Sequence, residues 1–349
     1  MPRFSRFCGP FYYHRSINDS DWLDTIKTLA KRWNIDVIMP TTLRGIMFVS
    51  QNREAISEIA AVVPLAKTEM ITMANDKWAF YKFINKNELP SVPTVYVGRA
   101  GEAIRMPKND SIKYPALLKP TSESGGYGFV YVRDFSDLTH AWHDKRIING
   151  REYILQSYVP AANFSLSLCS QNGEIIAFTL NRKILSFGNP FSTKGMLEYN
   201  NNEQVIDIGK RLISAMKWDG VADVDFLIDN RDQKAKILEF NPRFWQTLLG
   251  GLTAGVNFPL IWCLSALGIK QSSKQHTTTK YVGSPLLFIK MMFSKLIGKH
   301  AIISARWYES CFQFICNDPL PELIEVLRRM GRKKWLPLQC LRKRQKAKL

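Results

Sequence analysis

The sequence predicts an α/β (α+β) protein, and three observations predict it. Helix and strand signals alternate through the first hundred residues. A strand, glycine loop, strand, helix and strand follow over 114–159. Long alternating strands, broken by one helix, then run over 166–255 and close with a hairpin.

The elements read in order as follows. "DWLDTIKTLAKRW" has the apolar spacing of an amphipathic helix, and "IDVIMPTT" is a short buried strand. "NREAISEIAAVV" reads as a second helix. In "NDKWAFYKFINKNELPSVPTVYV", Asn75 or Asp76 caps a helix, Pro90 and Pro93 stop it, and a strand follows. "NEQVIDIGKRLISAM" is the helix of the later half. No internal repeat and no low-complexity linker is present.

Composition sets outer bounds. The 349 residues allow a sizeable core, and 46% hydrophobic with 22% charged residues is globular. The net charge of +18 is uneven: 270–349 carries 17 Lys and Arg against 4 Asp and Glu. The N-terminus has no continuous apolar stretch of a signal peptide, and no apolar run reaches 18 residues. Six cysteines are scattered without a CxxC pair, which speaks against a zinc site or disulfide framework and for a reducing cytosol. His140 and His143 sit three apart with no Cys near them, which speaks only weakly for a metal site.

"LLKPTSESGGYGFVYV", Leu117–Val132, carries the first chemistry. Lys119 ends a strand, and Gly125, Gly126 and Gly128 follow in a loop. Such a loop brings backbone N–H groups close around an anion. It lacks the GxxxxGK[ST] of a P-loop and the GxGxxG of a dinucleotide fold. Taken alone it is equally a ligand-free glycine turn.

"GVADVDFLIDNRDQKAKILEFNPRFW", Gly220–Trp245, carries the second. It reads as a hairpin with strands 221–228 and 235–241 about a "DNRDQK" turn. A register centred on Asp232 sets Phe226 opposite Leu238 and Val224 opposite Phe240 on one face. The other face sets Asp225 opposite Glu239 and Asp223 opposite Asn241. Directly opposed residues have Cβ atoms about 5 Å apart. Carboxylates that close repel unless a cation lies between them, and hard oxygen ligands suit Mg²⁺ or Mn²⁺.

The lysine before a glycine loop, followed by "LEFNPRFW", resembles the ATP-grasp superfamily. The likeness leans toward the carbamoyl-phosphate-synthetase-like and D-aspartate-ligase-like carboxylate–amine ligases, and it runs from about Ile35 to Leu267. It implies an ATP-grasp fold with a truncated N-terminal α/β domain at 1–74, since only 34 residues precede "IDVIMP". An ATP-grasp domain would follow at 75–269, its hinge near 155–160, and then a basic, mostly helical region at 270–349. The resemblance implies that Lys77 and Lys119 contact ATP phosphates and that Gly125, Gly126 and Gly128 close over them. In "LQSYVP", Gln156 would meet adenine through its side chain, and Tyr158 and Val159 through backbone groups. Asp225, Glu239 and Asn241 would hold the metal. Arg243 would steady the transferred phosphoryl group, and Arg182 or Lys183 would contact substrate.

The activity implied is ATP-dependent activation of a carboxylate as an acyl phosphate for attack by an amine. A carboxylate–thiol ligase, a phosphotransferase and an inactive ATP-binding relative are the alternatives. The basic tail, "LIEVLRRMGRKKWLPLQCLRKRQKAKL", has three readings. It is a solvated helix, a nucleic-acid contact for which no base-reading motif speaks, or a peripheral contact with an anionic inner membrane face. For the last, "PLLFIKMMFSKLIG" would be a second contact.

Overall fold

The computed structural model describes residues 2–14, 21–105, 112–122, 129–186, 195–270, 274–296 and 305–328. Helix α1 (Trp22–Arg32) carries Asp24 in its first turn and Lys31 and Arg32 in its last, matching the helix dipole. Strand β1 (Val37–Ile38) leads to α2 (Leu43–Gln51), which Thr42 caps through Gly45 N–H. The single helix expected over Asn52–Val63 is instead short. Helix α3 (Arg53–Ser57) ends early, and Ala61–Val62 form β2, parallel to β1. β-Branched Val62 and Val63 are buried there, where an extended chain packs them better than a helix. Helix α2 itself gave no signal that the sequence reading used.

Helices α4 (Thr68–Asn75) and α5 (Lys77–Lys86) are separated by Asp76, whose carboxylate accepts from Ala79 N–H at 2.8 Å. That cap sets Lys77 as the first residue of α5. Strands β3 (Thr94–Arg99), β4 (Ala116–Pro120), β5 (Val130–Val132) and, after helix α6 (Phe135–Ala141), β6 (Glu152–Ser157) form one antiparallel sheet, ordered β3-β6-β4-β5. Its own core includes Val97, Leu118, Val132, Leu138 and Trp142.

The larger sheet begins with β7 (Ala161–Gln171), β8 (Glu174–Ser186) and β9 (Gly195–Tyr199). Helix α7 (Glu203–Met216) follows, capped by Asn202, and buries Val205, Ile208, Leu212, Ile213 and Met216 on one face. Then come β10 (Gly220–Asp229) and β11 (Ala235–Asn241), helices α8 (Leu248–Thr253) and α9 (Phe258–Ala266), and strands β12 (Lys274–Gln275) and β13 (Thr279–Val282). The sheet order is β11-β10-β7-β8-β9-β13, with β12 beside β8. The region after residue 269, expected as mostly helical, thus adds two strands to this sheet before α10 (Pro285–Leu296), α11 (Phe312–Asn317) and a helical stretch over 319–328.

One large core, including Trp218, Phe226, Phe240, Phe258 and Trp262, joins the N-terminal helices to the larger sheet. Trp262 Nε1 donates to Pro64 O at 2.8 Å, and Ala66 N to Asp219 O at 2.9 Å. Gly220 lies at this junction with φ +101°, and a Cβ there would fall 2.8 Å from Pro64 O. Only glycine fits that approach. Among the described residues, no helix is long and apolar enough to cross a membrane.

Candidate active site

The hairpin register is Asp223 opposite Asn241, Val224 opposite Phe240 and Asp225 opposite Glu239. The expected pairing of Phe226 with Leu238 is not found. A bulge follows Asp225, and Phe226 pairs with Ile237 instead. The freed Leu238 packs against Val92, Val159 and Leu227. Ile237 N–H donates to Pro90 O at 2.9 Å, so the bulge lets β11 hold the segment before β3.

The carboxylates face two lysines. Lys77 Nζ lies 3.1 Å from Glu239 Oε1, and its N–H donates to Thr121 O at 2.8 Å. Lys119, half-buried on β4, donates to Gln156 Oε1 at 2.8 Å. Gln156 Nε2 in turn donates to Thr94 Oγ1 at 3.0 Å, and Thr94 to Val92 O at 2.9 Å. This chain fixes the Gln156 amide and aims the lysine. Burial pushes Lys119 down to about 8, with Glu239 opposing that shift and Lys77 adding to it.

Asp225 is pushed well above the usual carboxylate range by burial, then by the charges of Asp223 and Glu239. Asn241 Nδ2 donates to Asp225 Oδ2 at 3.3 Å and opposes the shift. Arg243 donates to Asn241 Oδ1 at 3.3 Å and to Phe244 O at 3.1 Å. Asp223 is also raised by burial, while Ser165 and Ser167, each donating to its Oδ1 at 2.6 Å, oppose the shift.

Strand alternation separates the two basic candidates on β8. Lys183 shares the face of Asn181, which lies opposite Ser165 and so beside Asp225. Burial lowers its pKa, and the Asp225 charge opposes this. Arg182 points to the other face and pairs with Glu198 at 2.7 Å. At the hinge, Tyr158 N–H donates to Pro115 O at 2.8 Å, and Val159 is buried. Gly125, Gly126 and Gly128 lie outside the described residues. His140 Nδ1 is bonded to Ser136 O at 2.7 Å, within its own helix.

Among the described residues, no three His, Cys, Asp or Glu side chains are gathered to hold one metal ion. Asp225, Glu239 and Asn241 are two carboxylates and an amide. Their mutual repulsion is what a divalent cation would relieve, with ligand oxygens completing its shell. The donor set therefore fits a hard divalent cation such as Mg²⁺ or Mn²⁺. The sequence reading missed Ser165, Ser167 and Thr94. The alternating "NFSLSL" of β7 held a signal for the serines, since residues two apart share a face.

The small antiparallel sheet thus brings Lys119 to the Asp225 and Glu239 carboxylates of the larger, mixed sheet, with Lys77 of α5 beside them. Residues 74–247 match the ATP-grasp domain family, and the chain is a member of the ATP-grasp superfamily. It is similar to the carbamoyl phosphate synthase arginine-specific large chain of Halalkalibacterium halodurans, 23% identical over 198 residues, covering 55% of this chain and 18% of that one. The chain thus spans about a fifth of the length of the curated relatives of this kind. Among solved structures it resembles biotin carboxylase from Campylobacter jejuni, with TM-score 0.57, 17% identity, and coverage of 74% of this chain and 61% of that one. It also resembles an L-amino acid ligase from Bacillus licheniformis, with TM-score 0.55, 15% identity, and coverage of 72% and 61%.

Proposed function

We propose that this protein is an ATP-dependent carboxylate–amine ligase that releases ADP and phosphate. The observation carrying this reading is the convergence of Lys77, Lys119, Asp225, Glu239, Asn241 and Arg243 within an ATP-grasp domain. ATP would lie between the two sheets, its adenine near Gln156, Tyr158 and Val159 and its phosphates toward Lys77 and Lys119. Asp225, Glu239 and Asn241 would hold Mg²⁺ or Mn²⁺, which when bound neutralises phosphate charge.

The chemistry needs position and charge more than a nucleophile from the protein. An oxygen of the substrate carboxylate attacks the γ-phosphorus, the bond to the β-phosphate oxygen breaks, and ADP leaves. The amine then attacks the acyl carbon, loses a proton, and expels phosphate. Arg243 suits the planar oxyanions of both steps through paired donors. Lys183, on the face of Asp225, would be the second basic group to meet substrate. The loop of Gly125, Gly126 and Gly128 would shield the acyl phosphate from water.

The proposal sets the enzyme in the cytosol, in keeping with free Cys8, Cys169, Cys263, Cys311 and Cys316. It also includes peripheral contact with an anionic membrane. Helix α10 buries Leu287 and Phe288 yet turns Leu286, Ile289 and Phe293 outward, at 64%, 39% and 60% exposure. That apolar stripe belongs to the segment with 17 basic and 4 acidic residues. Flotation that is equal on anionic and neutral vesicles would remove this part.

The test of the main reading is a screen of ADP release over carboxylates paired with amines or thiols, with mass detection of the product. Amine-dependent ADP release with an amide product is expected. Thiol-dependent product, or none with any pair, would overturn it.

A further inference from the structure

Asp223 has no role in the scheme above, yet it is the most buried carboxylate of the cluster, only 8% exposed. Its place follows from the sheet. Across β10, β7 and β8 the register runs Asp223, Ser167, Thr179. One repeat along, it runs Asp225, Ser165, Asn181, and then Tyr199 on β9. One face therefore carries a polar patch, in which Ser167, Thr179, Asn181 and Tyr199 are all buried.

This patch is built rather than incidental. Ser165 and Ser167 both donate to the same oxygen of Asp223, Oδ1, at 2.6 Å. They fix the carboxylate but bring no charge to it. Thr179, 1% exposed, has a hydroxyl with no hydrogen-bond partner among the described residues. Buried hydroxyls are usually partnered, so this one marks a place for a polar group. Helix α8 closes over the row with Gly250 and Gly251: a Cβ on Gly250 would strike the Tyr199 hydroxyl, and one on Gly251 would sit 3.8 Å from Thr179 Cγ2.

Residues two apart on a strand are separated by about 7 Å. Asp223 thus stands one step beyond Asp225, beside Asn241 and within reach of the charge of Arg243. In the ligase reading, that is where the group receiving the phosphoryl would lie. A substrate offering only a carboxylate would be repelled there by Asp223. A substrate with an ammonium group next to its carboxylate would instead find Asp223 for the cation and Arg243 for the anion. Like-charge rejection of the wrong substrate is an effective route to specificity.

We infer that Asp223, held by Ser165 and Ser167, is a specificity-determining residue that binds an ammonium group on the activated substrate, so that the carboxylate phosphorylated here belongs to an amino acid. The inference rests on the ligase reading.

The test compares ADP release by the full chain with MgATP and free amino acids against their des-amino acids, alanine with propionate and aspartate with succinate among them. Release with at least one amino acid, and none with its des-amino partner, is expected. Asp223→Asn should raise KM for that amino acid by roughly 100-fold. MgADP affinity by titration should stay within about threefold. Ser167→Ala, which removes one of the two hydroxyls, should raise the same KM by a smaller factor.

Equal turnover of the des-amino acid overturns the inference and leaves the ligase reading intact. So does an unchanged KM in Asp223→Asn. Loss of MgADP affinity in that variant would make Asp223 a metal ligand and overturn it too. Failure of every carboxylate in the panel to release ADP overturns both.

Discussion

The Lys77 ammonium lies 3.1 Å from Glu239 Oε1, joining the first turn of α5 to the strand that carries the acidic face of the hairpin. Both side chains are largely shielded, at 13% and 26% exposure. With Asp223 and Asp225 on the neighbouring strand, Lys77 offsets part of a concentrated negative charge. Lys77→Met should therefore cost about 1–2 kcal/mol of stability, between the cost of breaking an exposed pair and a fully buried one. A thermal melt checks this. An unchanged Tm would mean that the pair contributes nothing to the nucleotide-free fold.

Lys119 should make stability and nucleotide affinity respond to pH in opposite directions. Burial lowers its pKa from 10.5 to about 8. Between these values the unfolded chain binds more protons than the folded one, so the contribution of Lys119 to stability rises with pH. Below about 8 its burial cost is fully present. Lys119→Met should be more stable than the parent by about 1–3 kcal/mol at pH 7, the gap closing toward pH 10. Nucleotide affinity of the parent should fall above pH 8 as the charge is lost, and that of Lys119→Met should be weak throughout. Denaturant melts and MgADP titrations across this range test both. A pH-independent gap would contradict the account.

Gly220 should resist any substitution. Its φ of +101° and the 2.8 Å approach of a Cβ to Pro64 O act together. Gly220→Ala should cost about 2–3 kcal/mol, combining left-handed strain with a backbone clash. Urea melts measure it, and a loss below about 0.5 kcal/mol would show that the junction yields easily.

The acidic hairpin was legible because its alternation is local. Asp223, Asp225, Glu239 and Asn241 could be paired by counting from the turn. The count failed at Phe226 because the bulge answers to a distant demand, the pairing of Ile237 with residues 90–92. The pairing of Lys77 with Glu239 could not be counted at all, since it joins residues 162 positions apart through the packing of α5 on β11. The choice between Arg182 and Lys183 needed the phase of β8 relative to β10, which passes through β7. Strand β2 was lost to a helix because its two residues are too short for any period to show.

The central claim is that the cluster of Lys77, Lys119 and the hairpin carboxylates binds MgATP to activate a carboxylate. The most direct measurement is substrate-dependent ADP release by the parent and by Glu239→Gln, with and without Mg²⁺. The account predicts release by the parent that requires Mg²⁺, and none by Glu239→Gln while its circular dichroism and melt remain those of a folded protein. Full Mg²⁺-dependent release by Glu239→Gln would contradict it.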